Sequence, residues 1–226
     1  MSHSPDHPIS RSPDLPIGRS PDLLYAIIDP AQSQGRAPEE VAEALLAAGV
    51  RWIQLRDKRA SSGELYASAL RVGNVVRRAG GVFIVNDRAD VARAAKADGV
   101  HLGQDDLPVE AARAFVGPHK IVGFSTHNLK QLREADRSSA DYLAFGPIFA
   151  TTTKEKPDPV VGIKGLAAAR QATHKPLVAI GGITLATARE ALAAGADSVA
   201  VIRDLIGAPD VHARAKEFML KLGVTG

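Results

Sequence analysis

The sequence predicts a single (β/α)8 TIM barrel, and two regularities of the chain point to that fold class. Eight short apolar or β-branched runs alternate with eight amphipathic or alanine-rich stretches, over the roughly 200 residues that one barrel needs. The helical stretches also end in a repeated phrase in which alanine precedes glycine or Asp-Gly, as at Ala48-Gly49, Ala97-Asp98-Gly99 and Ala194-Gly195. Glycine just past a helix end adopts the left-handed cap and returns the chain to the next strand. A doubly wound open sheet is the alternative, but its GxGxxG fingerprint is missing where the first run ends at Asp29-Pro30.

Several of the eight runs are apolar almost throughout, which is typical of strands buried on both faces of a parallel sheet. In chain order, the predicted strands span residues 23–29, 50–56, 82–86, 99–103, 120–124, 141–146, 176–181 and 197–202. The predicted helices lie near residues 38–48, 63–79, 88–97, 108–115, 128–136, 163–173, 185–194 and 210–222.

The first residues carry a different pattern, a degenerate repeat that reads SPDHPISR, SPDLPIGR and SPD. Two prolines per repeat block both helix and strand hydrogen bonding, and few side chains there could form a core. Residues 1–21 are therefore predicted to be a disordered, proline-rich tail, either a neutral extension or a docking motif. Residues 22–226 are predicted to be the TIM-barrel domain.

The composition excludes several classes of function. The 226 residues contain no cysteine, which removes disulfides, thiolate nucleophiles and cysteine-ligated metal sites. No apolar run approaches the ~20 residues of a membrane-spanning helix, and the N-terminus has no signal-peptide core, so we expect a soluble cytoplasmic protein without a membrane partner. The net charge of +3, the aromatic content of 4% and the dispersed basic residues predict no nucleic-acid partner. The sequence leaves a homo-oligomer open.

Polar residues cluster at the carboxyl ends of the predicted strands, the rim where barrel enzymes place their active sites. Asp87 follows the third run, and Asp105 and Asp106 follow the fourth. Oxygen ligands without cysteine suit Mg²⁺, which takes one or two carboxylates together with substrate phosphates. The alternative is that Asp87 caps the helix near Arg88 and that Asp105 or Asp106 caps the helix from Pro108.

Two further groups on this rim are typical of phosphate binding. Arg56, Lys58 and Lys154 supply cations that match a diphosphate beside Mg²⁺, although surface ion pairing is the alternative for each. Gly181-Gly182 and the end of the eighth run lie where this fold often binds a monophosphate, although a glycine pair also forms a plain tight turn. Together these groups predict two phosphorylated small-molecule substrates.

Two histidines and one long loop complete the rim. His101 lies inside a predicted strand and is expected to be a core histidine, whereas His127 follows Ser125-Thr126. A serine nucleophile would need a third orienting group and a GxSxG context, which is missing, so nucleophilic catalysis is not expected. Residues 146–162 form a candidate lid over the site.

Seven stretches on the rim resemble those of one known family. They are QLRDK (54–58), ND (86–87), HLGQDD (101–106), GFSTHN (123–128), GPIFATTTK (146–154), AIGGI (179–183) and the end of the eighth run. In this order and spacing they are similar to thiamine-phosphate synthases, from about Leu23 to Leu222. The resemblance implies a Mg²⁺-dependent transferase that joins an aminopyrimidine diphosphate to a thiazole monophosphate by dissociative substitution. The implied products are thiamine phosphate and pyrophosphate.

The resemblance also implies a role for each matching residue. The pyrimidine diphosphate would be held by Gln54, Leu55, Arg56, Asp57, Lys58, Asn86, Ser125 and Lys154. The catalytic residues among these would be Arg56, Lys58, Lys154 and Ser125, and the Mg²⁺ ligands would be Asp87 and Asp106. The thiazole phosphate would be held by Thr151, Thr152, Thr153, Gly182, Ile202 and Arg203. The family usually has serine at the position of Arg203, so this chain departs from the pattern there.

Two other functions stay open at this point. A related thiazole tautomerase shares the barrel and would use His127 as a proton shuttle, but it would need neither the QLRDK stretch nor the carboxylates Asp87 and Asp106. A catalytically silent sensor of thiazole phosphate is the other alternative, and Arg203 is the residue that hints at it. Fold-level similarity alone does not separate such functions.

Overall fold

Eight parallel strands alternate with helices in the computed structural model, which describes residues 21–151 and 158–224. The strands are β1 (Leu24–Ile28), β2 (Trp52–Leu55), β3 (Val82–Asn86), β4 (Gly99–Leu102), β5 (Ile121–Thr126), β6 (Tyr142–Phe145), β7 (Leu177–Ile180) and β8 (Ser198–Val201). The helices are α1 (Pro38–Ala47), α2 (Ser62–Arg78), α3 (Ala89–Ala94), α4 (Val109–Val116), α5 (Leu129–Asp136), α6 (Gly162–Ala172), α7 (Ala188–Ala193), α8 (Arg203–Ile206) and α9 (Val211–Leu222). A 3-10 turn, Pro30–Gln32, follows β1.

Closure of the strands into one barrel confirms the predicted (β/α)8 class. Each strand pairs with the next along the chain, and β1 also pairs with β8 through Tyr25–Ala200 and Ala26–Val201. The short helix α8 is an addition to the predicted elements, because four residues are too few to show a helical period. The predicted tail, residues 1–21, lies outside the described residues apart from Pro21. In the two described ranges, no helix combines the length and apolar character needed to cross a membrane.

Strand side chains alternate between two hydrophobic layers, because successive residues of a strand point to opposite faces. One layer packs against the helices and includes Leu24 and Ile53, and the other fills the barrel interior. In the interior, the rings of Tyr25, Trp52 and Tyr142 meet edge to face, with centroids 5.8 to 6.0 Å apart. These rings fill the N-terminal half of the barrel, so the opposite end is left for a site.

A repeated aspartate joins neighbouring strands at the N-terminal end of the barrel. Asp98, Asp141 and Asp197 stand directly before β4, β6 and β8. Each carboxylate accepts a 2.8 Å hydrogen bond from a backbone N–H at the start of the preceding strand, namely that of Phe83, Val122 and Leu177 respectively. Asp141 also pairs with Arg113, and its side chain is only 8% exposed. The repeat fixes the relative position of strand pairs at the end remote from the cavity.

Replacing Asp141 tests the importance of this junction. We expect Asp141→Ala to lower the free energy of unfolding by about 3 kcal/mol, because it removes the acceptor of the Val122 N–H and the countercharge of Arg113 in a mostly buried place. Urea unfolding followed by Trp52 fluorescence measures the loss. Asp90→Ala is the control, since it removes an exposed ion pair with Arg88 and should cost less than about 1 kcal/mol. If Asp141→Ala and Asp90→Ala lost the same free energy of unfolding, Asp141 would not be an important contact of the strand junction.

Candidate active site

A cavity of about 1780 Å³ opens at the carboxyl ends of the strands, and all eight strand-to-helix connections contribute to its wall. This volume exceeds that of a typical pocket for one small ligand, so the cavity has room for two. Most of the predicted site residues border it: Gln54, Arg56, Asp57, Lys58, Asn86, Asp87, Asp106, Ser125, Thr151, Gly182, Ile202 and Arg203. The structure therefore brings the predicted rim residues together on one continuous surface.

Four predicted site residues are not placed in this wall. Leu55 follows Gln54 on β2, but its side chain is fully buried and packs in the outer layer against the helices. Leu55 could therefore reach a ligand only through its backbone. Thr152, Thr153 and Lys154 lie outside the described residues, as does the middle of the predicted lid.

Asp57 borders the cavity and also shapes the loop after β2. Its Oδ1 accepts hydrogen bonds from the N–H groups of Arg59, at 3.0 Å, and Ala60, at 3.1 Å. Such bonds from an aspartate to the backbone that follows it close a turn. The side chain of Asp57 thereby holds the loop that carries Arg56 and Lys58.

Two carboxylates meet beside a cation at the ends of β3 and β4. Asp87 lies beside Asp106 and forms an ion pair with Lys58. Burial raises the pKa of Asp87, the contact with Asp106 raises this pKa further, and Lys58 opposes both effects. Asp106 also accepts a hydrogen bond of 2.7 Å from the Gly103 N–H. Because the two carboxylates repel each other when ionised, additional positive charge would stabilise this cluster.

The backbone at Asp87 has an unusual conformation. Its φ angle is 63°, in the left-handed region that residues other than glycine seldom adopt, and its N–H donates to the His101 carbonyl at 2.7 Å. Asp87 does not cap α3, whose N-cap is Arg88, and Asp106 does not cap α4, whose N-cap is Pro108. The capping alternative is therefore wrong for both aspartates.

A carboxylate at the end of β1 holds Arg56 in place. Asp29 is only 4% exposed, pairs with Arg56 and accepts a 3.0 Å hydrogen bond from the Ala31 N–H. Asp29 is not among the predicted site residues. The sequence does contain an indication of its role, because Asp29 directly follows the buried strand β1 just as Asp87 follows β3.

The glycine pair after β7 allows two loops to approach closely. Gly181 and Gly182 have φ angles of 91° and 66°, so both are in the left-handed region. A Cβ on Gly182 would lie 2.5 Å from the Ala150 carbonyl oxygen, and the Phe149 N–H donates to the Gly181 carbonyl at 2.9 Å. The pair is more than a plain tight turn, because it joins the loops after β6 and β7 at the cavity wall.

Two arginines from other elements anchor the short helix α8. Arg214 on α9 donates to both carboxylate oxygens of Asp204, at 2.7 and 2.8 Å. Arg36, which precedes α1, donates to the Ile206 carbonyl at 2.8 Å. These contacts fix the segment that begins with Arg203. No sequence motif marks them, since the partners are 10 and 170 residues apart.

Ser125 contacts a histidine, but the pair is not arranged as a nucleophilic dyad. His101 Nε2 lies 2.8 Å from Ser125 Oγ, and His101 Nδ1 lies 2.9 Å from the Tyr142 hydroxyl. The nitrogen that a catalytic triad would direct at a carboxylate thus faces a phenol. His101 is buried, as predicted, and His127 Nδ1 lies 2.8 Å from the Gly146 carbonyl oxygen.

The fold and this cavity define the class of the protein, an α/β-barrel enzyme with a charged site at the carboxyl ends of its strands. The particular family follows from comparison with known proteins. The family described as thiamine monophosphate synthase matches residues 24–205. The chain therefore belongs to the thiamine monophosphate synthase family.

Individual relatives agree with this membership. A thiamine-phosphate synthase of Chloroflexus aurantiacus is 46% identical over 202 residues, which cover 89% of this chain and 93% of that protein. A thiamine-phosphate synthase of Koribacter versatilis is 49% identical over 201 residues, covering 87% and 93% respectively. The solved structure of a thiamine phosphate pyrophosphorylase from Pyrococcus furiosus superposes with a TM-score of 0.81 at 35% identity, and covers 92% of this chain and 98% of that one.

A matched pair of glycine substitutions tests the loop contact at the cavity wall. We expect Gly80→Ala to lower the free energy of unfolding by about 1 kcal/mol, because its φ of 67° is strained for alanine although nothing lies nearby. Gly182→Ala has a similar φ but also forces its Cβ against Ala150, so we expect a loss of about 3 kcal/mol. Thermal or urea unfolding measures both. Similar losses of unfolding free energy in the two variants would mean that the close contact between Gly182 and Ala150 does not add to the cost of the substitution.

Proposed function

We propose that this chain is a transferase that condenses 4-amino-2-methyl-5-(diphosphooxymethyl)pyrimidine with 4-methyl-5-(2-phosphooxyethyl)thiazole, giving thiamine phosphate and pyrophosphate. The observation that carries the proposal is the pair Asp87 and Asp106 beside Lys58, in the cavity of a chain that belongs to this family. The names of the relatives, thiamine-phosphate synthase and thiamine phosphate pyrophosphorylase, support the same reaction.

The side of the cavity formed by β2 to β5 is the proposed place of the pyrimidine diphosphate. Arg56 can contact phosphate oxygens with two N–H groups, and Lys58 adds a point charge. Gln54, Asn86 and Ser125 offer neutral donors and acceptors to the ring. Lys154, outside the described residues, is proposed as a third cation for the phosphates.

The residues present fit a magnesium ion bound by Asp87 and Asp106. Over residues 21–151 and 158–224, no group of three or more histidine, cysteine, aspartate or glutamate side chains is arranged to hold a metal ion, so the proposed site has two carboxylates. Two carboxylates leave coordination positions for phosphate oxygens and water, which is the pattern that Mg²⁺ favours with phosphorylated ligands. When bound, the ion would neutralise negative charge on the diphosphate.

The side formed by β6 to β8 is the proposed place of the thiazole phosphate. Gly182 and Thr151 border it from the paired loops, and Ile202 borders it from the end of β8. Arg203 brings a guanidinium group, whose Nε donates to Gln32 Oε1 at 3.2 Å. Thr152 and Thr153 complete the proposed set outside the described residues.

The proposed reaction is a dissociative substitution at the methylene carbon of the pyrimidine. The bond between this carbon and the diphosphate oxygen breaks, and its electron pair leaves with pyrophosphate. The lone pair of the thiazole nitrogen then forms the new carbon–nitrogen bond, and no proton has to be removed from that nitrogen. Arg56 and Lys58 would stabilise the charge that develops on the leaving group, and Ser125 would orient the ring. A single cavity that holds both rings lowers the entropic cost of their encounter.

We also propose that the protein acts in the cytoplasm on small phosphorylated molecules rather than on nucleic acid or membranes. The absence of cysteine suits a reducing compartment.

An assay with both substrates tests the proposed function. Purified protein is mixed with the pyrimidine diphosphate, the thiazole phosphate and Mg²⁺, and thiamine phosphate and pyrophosphate are both followed. We expect the two products in equal amounts, and neither after a chelator is added. A folded protein that binds thiazole phosphate by calorimetry but forms neither product would contradict the proposal and favour the sensor.

Substitution of the two carboxylates tests the magnesium ligands. We expect Asp87→Asn and Asp106→Asn each to lower kcat/KM by about 100-fold or more, because each removes a charged oxygen ligand. Asparagine tolerates the left-handed backbone of position 87, so the fold should be retained. Asp105→Asn is the matched control, since this neighbouring carboxylate is exposed and the family resemblance leaves it out of the ligand set. Full activity of both test variants would exclude the assignment.

Arg203 is tested by separating the KM values of the two substrates. We expect Arg203→Ser to raise KM for the thiazole phosphate about tenfold, because a charge-assisted hydrogen bond to phosphate is lost. Arg203→Lys should recover part of the loss, and KM for the pyrimidine diphosphate should stay unchanged in both variants. Steady-state kinetics with each substrate varied in turn gives these values. A lower KM for thiazole phosphate in Arg203→Ser would show that the arginine obstructs this side of the cavity.

A further inference from the structure

A continuous series of hydrogen bonds crosses the barrel interior from β2 to β5. Gln54 Nε2 donates to the Tyr25 hydroxyl at 2.7 Å, and the hydroxyls of Tyr25 and Tyr142 are 2.8 Å apart. The Tyr142 hydroxyl lies 2.9 Å from His101 Nδ1, and His101 Nε2 lies 2.8 Å from Ser125 Oγ. The two ends of this series, Gln54 and Ser125, both border the cavity.

The three middle groups of the series are shut off from solvent. Tyr25 is 1% exposed, Tyr142 is 0% exposed and His101 is 5% exposed. Burial raises the pKa of both tyrosines, so their hydroxyls keep their protons. A buried hydroxyl hydrogen without an acceptor is costly, so each hydrogen of the series is directed at the next group.

With Gln54 Nε2 directed at Tyr25 and His101 neutral, counting hydrogens gives a single direction for the whole series. Tyr25 accepts from Gln54, so its own hydrogen goes to Tyr142. Tyr142 accepts that bond and gives its hydrogen to His101 Nδ1. A neutral imidazole has one N–H, so Nε2 carries it and donates to Ser125. As a result, Gln54 presents its carbonyl oxygen to the cavity, and Ser125 presents its hydroxyl hydrogen.

Packing holds these groups in one arrangement. The His101 and Tyr142 rings stack with centroids 5.5 Å apart, and Tyr142 also meets Trp52 edge to face. Gly123 makes the space for this stack, because a Cβ there would lie 2.1 Å from Tyr142 Cζ and 2.6 Å from His101 Nδ1. The stacked rings of His101 and Tyr142 therefore fill the space beside Gly123 closely.

We propose that Tyr25, Tyr142 and His101 are positioning residues that set Gln54 as a hydrogen-bond acceptor and Ser125 as a hydrogen-bond donor toward the substrate ring. This inference rests on the proposed function and adds to it a basis for specificity. An aminopyrimidine offers the amine hydrogen that Gln54 Oε1 needs. In a ring with an oxo group in place of the amine, the oxo oxygen would face Gln54 Oε1, and two acceptors cannot hydrogen-bond to each other. The side-chain amide of Gln54 can flip to offer its NH₂ group only if all the bonds of the series reverse.

Kinetics with two substrates separates positioning from general support of the fold. We expect Tyr25→Phe and Tyr142→Phe each to lower kcat/KM for the pyrimidine diphosphate about tenfold or more, while KM for the thiazole phosphate changes less than about twofold. The preference for the amino over the 4-oxo pyrimidine diphosphate should fall about tenfold in both variants. A merely structural defect would lower kcat/KM for the amino and the 4-oxo pyrimidine diphosphate by the same factor, so the preference between them would not change. This outcome would overturn the proposal.

Thr126→Val is the matched control for these variants. The Thr126 hydroxyl is equally buried on β5 and donates to the Ala144 carbonyl at 2.9 Å, so its loss also removes one internal hydrogen bond. It belongs to no part of the series, and the amino-to-oxo preference should stay as in the unchanged chain. If the amino-to-oxo preference fell as much in Thr126→Val as in the tyrosine variants, the proposal would also be overturned.

The tautomer of His101 gives a test that needs no turnover. Nitrogen-15 NMR of the ligand-free protein, with the signal assigned by its loss in His101→Asn, should show the proton on Nε2. In Tyr142→Phe the donor to Nδ1 is gone, so we expect a mixture of the two tautomers. A proton on Nδ1 in the unchanged chain would overturn the proposal even if the enzyme is active. The expected tautomers in a protein without transferase activity would instead show that the series exists and that the proposed function has failed.

Discussion

Pairing of β1 with β8 is the interaction on which the rest of the structure depends. It closes the sheet, and closure brings the carboxyl ends of eight parallel strands to one cavity. Residues far apart in the chain, such as Asp29 and Arg203, thereby border the same space. The rings of Tyr25, Trp52 and Tyr142 fill the other half of the barrel interior, so the cavity lies at the carboxyl end of the strands.

The closed barrel also explains how an electrostatically unfavourable cluster persists. Asp87 has a left-handed backbone, is partly buried and touches a second carboxylate, and each of these features costs free energy. The aspartate junctions at the far end and the two hydrophobic layers supply stability elsewhere. Lys58 offsets part of the repulsion. A scaffold that holds such a cluster in place can use it to attract a cation and a phosphorylated ligand.

Much of this arrangement could be predicted from the sequence, because in a parallel barrel the residue that follows a buried run must lie at the cavity. That rule placed Arg56, Asp87 and Ser125 correctly, and it would have placed Asp29 too. Leu55 belongs to the QLRDK motif, but its side chain does not border the cavity. Side chains alternate along a strand, so Gln54 faces the cavity and Leu55 faces the helices. The contacts of Arg36 and Arg214, and the interior hydrogen-bond series, join residues with no common motif, so only the three-dimensional structure reveals them. Of the three aspartates at the strand junctions, only Asp98 belongs to an Ala-Asp-Gly sequence, so that sequence does not mark all three positions.

We propose that one cavity holds two phosphorylated ligands at the same time, on opposite sides. Isothermal titration calorimetry with pyrophosphate and Mg²⁺ as the first ligand, and thiazole phosphate as the second, tests it most directly. We expect one site per chain for each ligand, with either ligand still binding when the other is saturating. Mutual exclusion of the two ligands would show instead that both compete for one phosphate site.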